Sequence, residues 1–362
     1  MHMQIRDSFE RPSRFPGMPI PRVPIETRPQ TGGTITVAQW AQEWIERYKR
    51  PFVKPSTCRI YEGILRRMIL PPLGETALCR LEPTAIRAHL SALGERYSPS
   101  TVQTQLTLLR EMLKDAQESG LIGASPCEGI ELCARKRVPS VRQVLSQSEQ
   151  EIFLRAAHES RFCNLYRLAL MTGLRIGELT ALTDADVATA RRMLHVRRTL
   201  SFFPKEGWHI QTPKTASSER ALPLTEKMIA IIKEETFLRE QNRTKNPAKW
   251  RESTVDGVSG FLFTTRTGGL LYCANIQRDL DRLQGIINER YLGDHPPLAH
   301  LHPHLFRHTF ATRCFEAGIP PRVVQEFLGH SSLAMTMNLY THVLDETKMR
   351  EIKKLEAMMQ SY

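Results

Sequence analysis

The sequence predicts a mainly α protein with a small β-sheet or hairpin, built as a helical domain followed by an α+β domain. Three observations carry that expectation. Apolar residues recur at helical spacing over most of the chain from Thr34 onward. Segments of strand type, bounded by turn residues, occur only within the second part. Between the two parts lies ARKRVPSVRQV, which is basic and holds few apolar residues of helical period.

Taken in order, residues 1–33 carry six prolines between Pro12 and Pro29 and end in Thr-Gly-Gly. Proline fixes φ and removes a backbone donor, so an extended arm is expected there. Residues 34–133 read as a small helical bundle. VAQWAQEWIERYKR sets Val37, Trp40, Trp44, Ile45 and Tyr48 on one face. PSTCRIYEGILRRMILPPLG and EPTAIRAHLSALGER add two further helices. In SPSTVQTQLTLLREMLKDAQESG the stripe is Val102, Leu106, Leu109 and Leu113, with Gly120 as the stop. Lys54, Arg59, Arg66 and Arg67 are candidates to meet a phosphate backbone, and a solvated helix face explains any one of them equally well. Residues 134–145, with Arg135, Lys136, Arg137 and Arg142, form a linker able to close around a polyanion or simply to remain soluble.

The second domain, 146–343, opens with a helix capped by Ser146 or Ser148. FCNLYRLALMTGLRIGELTAL follows as two helices broken near Gly173. RRMLHVRRTL reads as one strand, and EGWHIQTPKTASSERALPLT as a hairpin turning near Pro213 and Ser217–Ser218. FLFTTRTGGLLY reads as a short extended unit. Residues 344–362 read as an amphipathic helix with Leu344, Met349, Ile352, Leu355 and Met358 on its apolar side, able to pack at home or on a neighbouring protomer. There is no internal repeat.

Composition bounds the function. The 50 basic and 38 acidic residues of this 362-residue chain leave a formal charge of +12, a signature of a polyanion partner, most often nucleic acid. No uncharged apolar run is long enough for a membrane span, and the N-terminus lacks a signal-peptide core, so a cytoplasmic protein is expected. Seven cysteines without a CxxC pair fit reduced thiols better than disulfides or a zinc site. No metal-ligand cluster or nucleotide-binding glycine loop is evident, so no cofactor is expected.

The chemistry concentrates near the end, in HPHLFRHTFATRCFEAGIPPRVVQEFLGHSSLAMTMNLY. Its His304, Arg307, His330 and Tyr340 are residue types suited to phosphodiester chemistry. A phosphate under attack gains negative charge on its non-bridging oxygens, which guanidinium groups bind bidentately.

TGLRIGELTAL, TPKTASSER, HPHLFRHTFAT, FLGHSS and NLYTHV occur in that order. With these five segments the chain resembles the tyrosine recombinases, the phage integrase family. The likeness is strongest from Ser146 to Val343 and extends more loosely to the helical domain, which it implies is a SAM-like core-binding domain. It implies that Arg175 and Arg307 are the two catalytic arginines and Tyr340 the nucleophile. A tyrosine of ordinary pKa, about 10, needs cationic neighbours or a base to attack. It implies Lys214 as general acid to the leaving 5′-oxygen, in preference to nearby Lys205. His304 and His330 would bind the phosphate or handle the tyrosine proton. Glu178, three residues after Arg175 and so on one helical face, would orient cations. His308 would sit behind the site.

The resemblance further implies double-stranded DNA recombination sites as substrate, a 3′-phosphotyrosine intermediate and a homotetramer on two sites. An accessory DNA-bending or excision factor is a further possible partner. Integration and excision of a mobile element is the expected role. An Xer-like resolvase, a type IB topoisomerase and a non-catalytic DNA-binding regulator are the alternatives. Residues 1–33 are too short and proline-rich for a folded arm-binding domain.

Overall fold

The computed structural model describes residues 35–132, 144–204, 206–211, 219–290, 297–298 and 300–340, with Asn338 and Tyr340 in backbone only, and also Ile352, Glu356 and Met359. The expected arm, Arg135, Lys136, Arg137, Arg142, Lys205, Lys214 and most of the C-terminal helix lie outside the described residues. By its packing the chain forms two units, Met1–Val138 and Pro139–Tyr362.

The first unit is helical. Helix α1 (Val37–Trp44) starts at a capping box in which Thr36 and Gln39 satisfy each other's backbone N–H groups. It runs on into a π turn, Ile45–Lys49. Helix α2 (Pro55–Ile64) continues through a second π turn, Leu65–Ile69, into α3 (Leu70–Leu73). Helices α4 (Pro83–Arg96) and α5 (Pro99–Glu118) complete the unit.

The expected apolar stripes are the core. Val37, Trp40, Trp44 and Ile45 pack with Leu106, Leu109, Met112 and Leu113, all buried. Each side chain of that size removed from water contributes about 1.5–3 kcal/mol. Trp40 donates its indole N–H to the Met112 carbonyl (2.9 Å) and Trp44 to Asp115 (2.6 Å), so burial strands neither indole N–H. The stop expected at Gly120 is present: α5 ends at Glu118 and Gly120 has φ +70°.

In the second unit, α6 (Gln147–Ala157) is capped by Ser146 together with Glu149, which decides between the two serines. Helix α7 (Cys163–Thr172) ends at Gly173 in the left-handed conformation, φ 63°, and the one-turn α8 (Ile176–Leu179) follows.

The β region departs from the sequence expectation. RRMLHVRRTL is two strands, β2 (Met193–Val196) and β3 (Thr199–Phe203), separated where Arg198 turns its guanidinium to Asp186 (3.0 and 3.2 Å). The hairpin lies one segment earlier than expected. It joins β3 to β4 (Gly207–Gln211), with Phe203 opposite Gly207, whose φ of +89° suits the tight turn. β5 (Arg220–Pro223) does not pair with β4 but with β2, in a sheet ordered β1-β2-β5 that begins with β1 (Val187–Ala188). Register explains the choice: Leu194 faces Leu222 across β2 and β5, and both are buried in the unit's main core. FLFTTRTGGLLY forms no strand of its own, only a bridge from Phe261 to Thr183 and a turn closed from Thr265 to Gly269.

Helices α9 (Glu226–Lys245) and α10 (Cys273–Arg290) lead to α11 (Pro303–Glu316), α12 (Pro321–Leu328) and α13 (Leu333–Tyr340). Phe153, Tyr166 and Phe306 stack as a ring trio with centroids 5.1–5.6 Å apart, which ties α6, α7 and α11 together. A smaller core of Phe315, Val324, Leu328 and Leu339 holds α11, α12 and α13. Among the described residues no helix is long and apolar enough to cross a membrane.

Candidate active site

Four chain ends converge: the C-terminus of α7, the start of α8, the start of β5 and the C-terminus of α12. Helix α11 passes beneath them. Arg307, on α11, is only 4% exposed. Its Nη1 donates to the Gly173 carbonyl (2.9 Å) and its Nη2 to the Leu328 carbonyl (2.6 Å). These carbonyls close α7 and α12, where helices leave acceptors unsatisfied and carry partial negative charge. Burial, and next the Arg175 charge, pull the Arg307 pKa down to about 9, so it stays cationic at neutral pH.

Gly173 admits no other residue without a shift. Its φ is left-handed, and a Cβ there would stand 2.3 Å from the Phe310 ring and 2.8 Å from Leu328. The turn brings the chain directly to Arg175. Contrary to the expectation of one helical face, Arg175 is not within a helix. It is the N-cap of α8 in extended conformation, and Glu178 reaches back to it. The Glu178 carboxylate accepts from the Arg175 backbone N–H and from its Nη1, each at 2.9 Å.

Glu178 is 4% exposed and also holds Arg220, through Nη2 at 2.9 Å and Nη1 at 3.2 Å. Burial alone would raise its pKa. The hydrogen bond and charge of Arg220, then the charge of Arg175, outweigh burial and keep it below the usual carboxylate range. Arg220 was not singled out in the sequence. A lone basic residue at the end of TPKTASSER reads as a solvated turn; its place as first residue of an inward-facing strand was the missing signal. Its Nε donates to the Phe327 carbonyl (2.7 Å). Arg220 and Arg307 thus hold successive carbonyls at the end of α12.

Gly329, in left-handed conformation, ends α12 and turns the chain to His330. Gln325 frames this turn, accepting from the His330 N–H (3.1 Å) and donating its amide to the His330 carbonyl (3.0 Å). The ring is 7% exposed, with Nδ1 2.8 Å from the Thr336 hydroxyl. Burial, then the charges of Arg307, Arg175 and Arg220, push its pKa down to about 3, so it is neutral at physiological pH. His304, in the first turn of α11, keeps solvent access. Partial desolvation and then the Arg307 charge nonetheless lower its pKa, with His302 and Arg175 adding to the effect. His308 lies one turn further along α11 and is part-buried.

The structure therefore brings together Arg175, Glu178, Arg307, His330 and His304, and adds Arg220. Tyr340 closes α13, which packs on α11 and α12 through Leu339. Lys214 lies outside the described residues. Of the candidate DNA contacts in the helical unit, Lys54, Arg66 and Arg67 are exposed on α2 and its π turn, while Arg59 is part-buried. Three guanidinium groups face one carboxylate, and the two histidines near them are held neutral. The net positive charge suits an anion whose charge grows during reaction.

Fold and site together define a phosphoryl-transfer protein of mainly helical α+β build, with its arginines anchored on helix ends. A model of the phage integrase family matches residues 140–347, and a model of the phage integrase N-terminal SAM-like domain matches residues 36–93. The chain belongs to the phage integrase family, the tyrosine recombinases, enzymes that cleave and rejoin DNA.

Among curated relatives, a tyrosine recombinase XerC-like protein of Caldanaerobacter subterraneus subsp. tengcongensis is 26% identical over 89% of this chain and 83% of its own length. The transposase from transposon Tn916 of Enterococcus faecalis is 31% identical over 59% of this chain, which spans 51% of that protein. Among solved structures, the Tn1549 transposon integrase in complex with transposon right end DNA matches with a TM-score of 0.76 and 25% identity, covering 89% of this chain and all (100%) of that one.

Proposed function

We propose that this chain is a cytoplasmic site-specific recombinase that integrates and excises a mobile element. Its substrate is double-stranded DNA at two recombination sites, bound by a homotetramer with an accessory DNA-bending or excision factor. The observation that carries the reading is the Arg175–Glu178–Arg220 network joined to Arg307 on the carbonyls of α7 and α12. It supplies fixed positive charge without the cost of reorganising solvent during the reaction.

In this reading Arg175 and Arg307 bind the non-bridging oxygens of the scissile phosphate. The Tyr340 oxygen forms a bond to phosphorus while the bond to the 5′-oxygen breaks. Lys214 gives a proton to that oxygen, leaving a 3′-phosphotyrosine and a free 5′-hydroxyl. His304, neutral because of its lowered pKa, takes the phenol proton or bonds the phosphate. His330 donates a hydrogen bond to the phosphate. Attack by a 5′-hydroxyl from a partner strand reverses the chemistry, and the phosphodiester bond energy is kept throughout. The helical unit grips the duplex through Lys54 at the start of α2, Arg59 on it and Arg66 and Arg67 in the π turn after it, and through Arg135, Lys136, Arg137 and Arg142 of the linker. Residues 344–362 contact a neighbouring protomer.

A nicked suicide duplex carrying the junction of the element tests this. Wild type traps a covalent protein–DNA adduct, and Tyr340→Phe binds the same DNA without one. Absence of any adduct with wild type would refute the enzyme reading.

A further inference from the structure

Thr336 is fully buried (0% exposed) on α13, one turn before Tyr340, and its hydroxyl lies 2.8 Å from Nδ1 of His330. A neutral imidazole has one N–H and one lone pair, and which nitrogen carries the proton is decided by the partner of the other. Protonating both nitrogens is opposed here, first because the ring is buried and then by the nearby charges of Arg307, Arg175 and Arg220, with His308 adding to them. The site therefore has to choose between two neutral tautomers.

The choice matters because the two edges of the ring have different partners. A phosphate oxygen only accepts hydrogen bonds. It is favoured by an N–H at Nε2 and repelled by a lone pair there. A threonine hydroxyl that donates to Nδ1 leaves the ring proton on Nε2, whereas one that accepts from Nδ1 leaves a lone pair at Nε2, so the role taken by the hydroxyl sets the tautomer. Gln325 is committed to the backbone N–H and carbonyl of His330 and so governs the turn rather than the ring.

We propose that Thr336 is a positioning residue whose hydroxyl donates to Nδ1 of His330, holding the ring in its Nε2–H form as a neutral hydrogen-bond donor to the DNA phosphate. The inference rests on the recombinase reading for its last step, the phosphate, but not for the tautomer. The same bond ties α13, and so the segment that bears Tyr340, to the turn that bears His330. One hydroxyl then fixes the ring's proton and the registry of the nucleophile's helix.

The test uses the full chain with nitrogen-15 in its histidines, the His330 signals being assigned with His330→Gln. In the free protein His330 is expected to carry its proton on Nε2 in wild type and in Thr336→Ser, and to become a mixture of tautomers in Thr336→Val. On the suicide duplex, Thr336→Val is expected to slow adduct formation by about tenfold to a hundredfold, and Thr336→Ser to restore most of it. A wild-type proton on Nδ1 overturns the proposal. So does Thr336→Val with an unchanged spectrum, whatever its cleavage rate, because the hydroxyl would then act elsewhere. If wild type forms no adduct on cognate DNA, the recombinase reading falls, while the spectrum alone still decides whether Thr336 sets the ring.

Discussion

Each unit of this chain buries a cation, and the two do so on opposite terms. In the helical unit, Lys49 has a side chain only 7% exposed; it lies 2.6 Å from Glu111 and 3.5 Å from Asp115, with its ammonium over the Trp44 ring. Asp115 in turn accepts from the Trp44 indole. Two carboxylates surround one cation, and the group is closed by aromatic packing. In the second unit, Arg175 and Arg220 share a single buried carboxylate, Glu178, while Arg307, within reach of its charge, is anchored on uncharged carbonyls. In the first arrangement the cation is more than balanced by its carboxylates, whereas the second carries positive charge in excess until an anion arrives. Buried charge by itself therefore marks nothing. What distinguishes a site is the sign left over and whether it faces outward.

The comparison can be broken at three points. The largest effect is expected at Arg307. Lysine offers a point charge and cannot span the Gly173 and Leu328 carbonyls as the guanidinium does. Arg307→Lys should lower the rate of adduct formation on the suicide duplex by about 10²–10³-fold, in the range seen for loss of one charge-stabilising donor. Retention of the wild-type rate would mean that the arginine only welds helices together.

Lys49→Met is the converse experiment. It leaves Asp115 buried beside Trp44 without its cation, and urea unfolding should report a loss of about 3 kcal/mol in the helical unit. At saturating protein the cleavage rate should stay within about twofold of wild type, because Lys49 belongs to the core of the helical unit and shares no partner with the site residues. A large drop in rate would contradict the separation of roles.

A smaller and graded effect is expected with pH. The folded-state pKa of His330 is lowered to about 3, below its unfolded value near 6.5. Between those values the unfolded chain binds a proton that the native site refuses. The contribution of His330 is thus fully present above pH 6.5 and is lost progressively as pH falls toward 3. Glu178, also lowered, adds a loss below the ordinary carboxylate range. Urea titrations at pH 7 and pH 5 should show the decline, and His330→Gln should make it shallower, leaving the part due to His89, His302 and His304, whose pKa values burial also lowers. An identical slope in the variant would remove His330 as the cause.

Much of this could be read from the sequence, for physical reasons that differ from residue to residue. Val102, Leu106, Leu109 and Leu113 were legible because helix periodicity projects them onto one face. Arg175, Arg307 and His330 were named through the likeness of TGLRIGELTAL, HPHLFRHTFAT and FLGHSS to tyrosine recombinase segments, since residues so far apart in the chain leave no periodic sign that they meet. Arg220 was not. Its role depends on β5 pairing with β2, across the whole β3–β4 hairpin, and non-local strand pairing leaves no periodic trace in a four-residue strand. The same blind spot misplaced the hairpin. Helix α9 was also inconspicuous, because its buried residues, Met228, Ile229, Ile231 and Ile232, crowd its beginning rather than forming a stripe along it.

The seat of Arg307 has a consequence for anyone who would retarget this enzyme. The Arg307 guanidinium is bolted to the carbonyls of Gly173 and Leu328, and the space beside Gly173 is already filled by Phe310 and Leu328. Random libraries that touch these positions would mostly return inactive clones, however well they bind a new sequence. Change is better tolerated on the π turn after α2, where Arg66 and Arg67 are exposed and stand clear of the packed core.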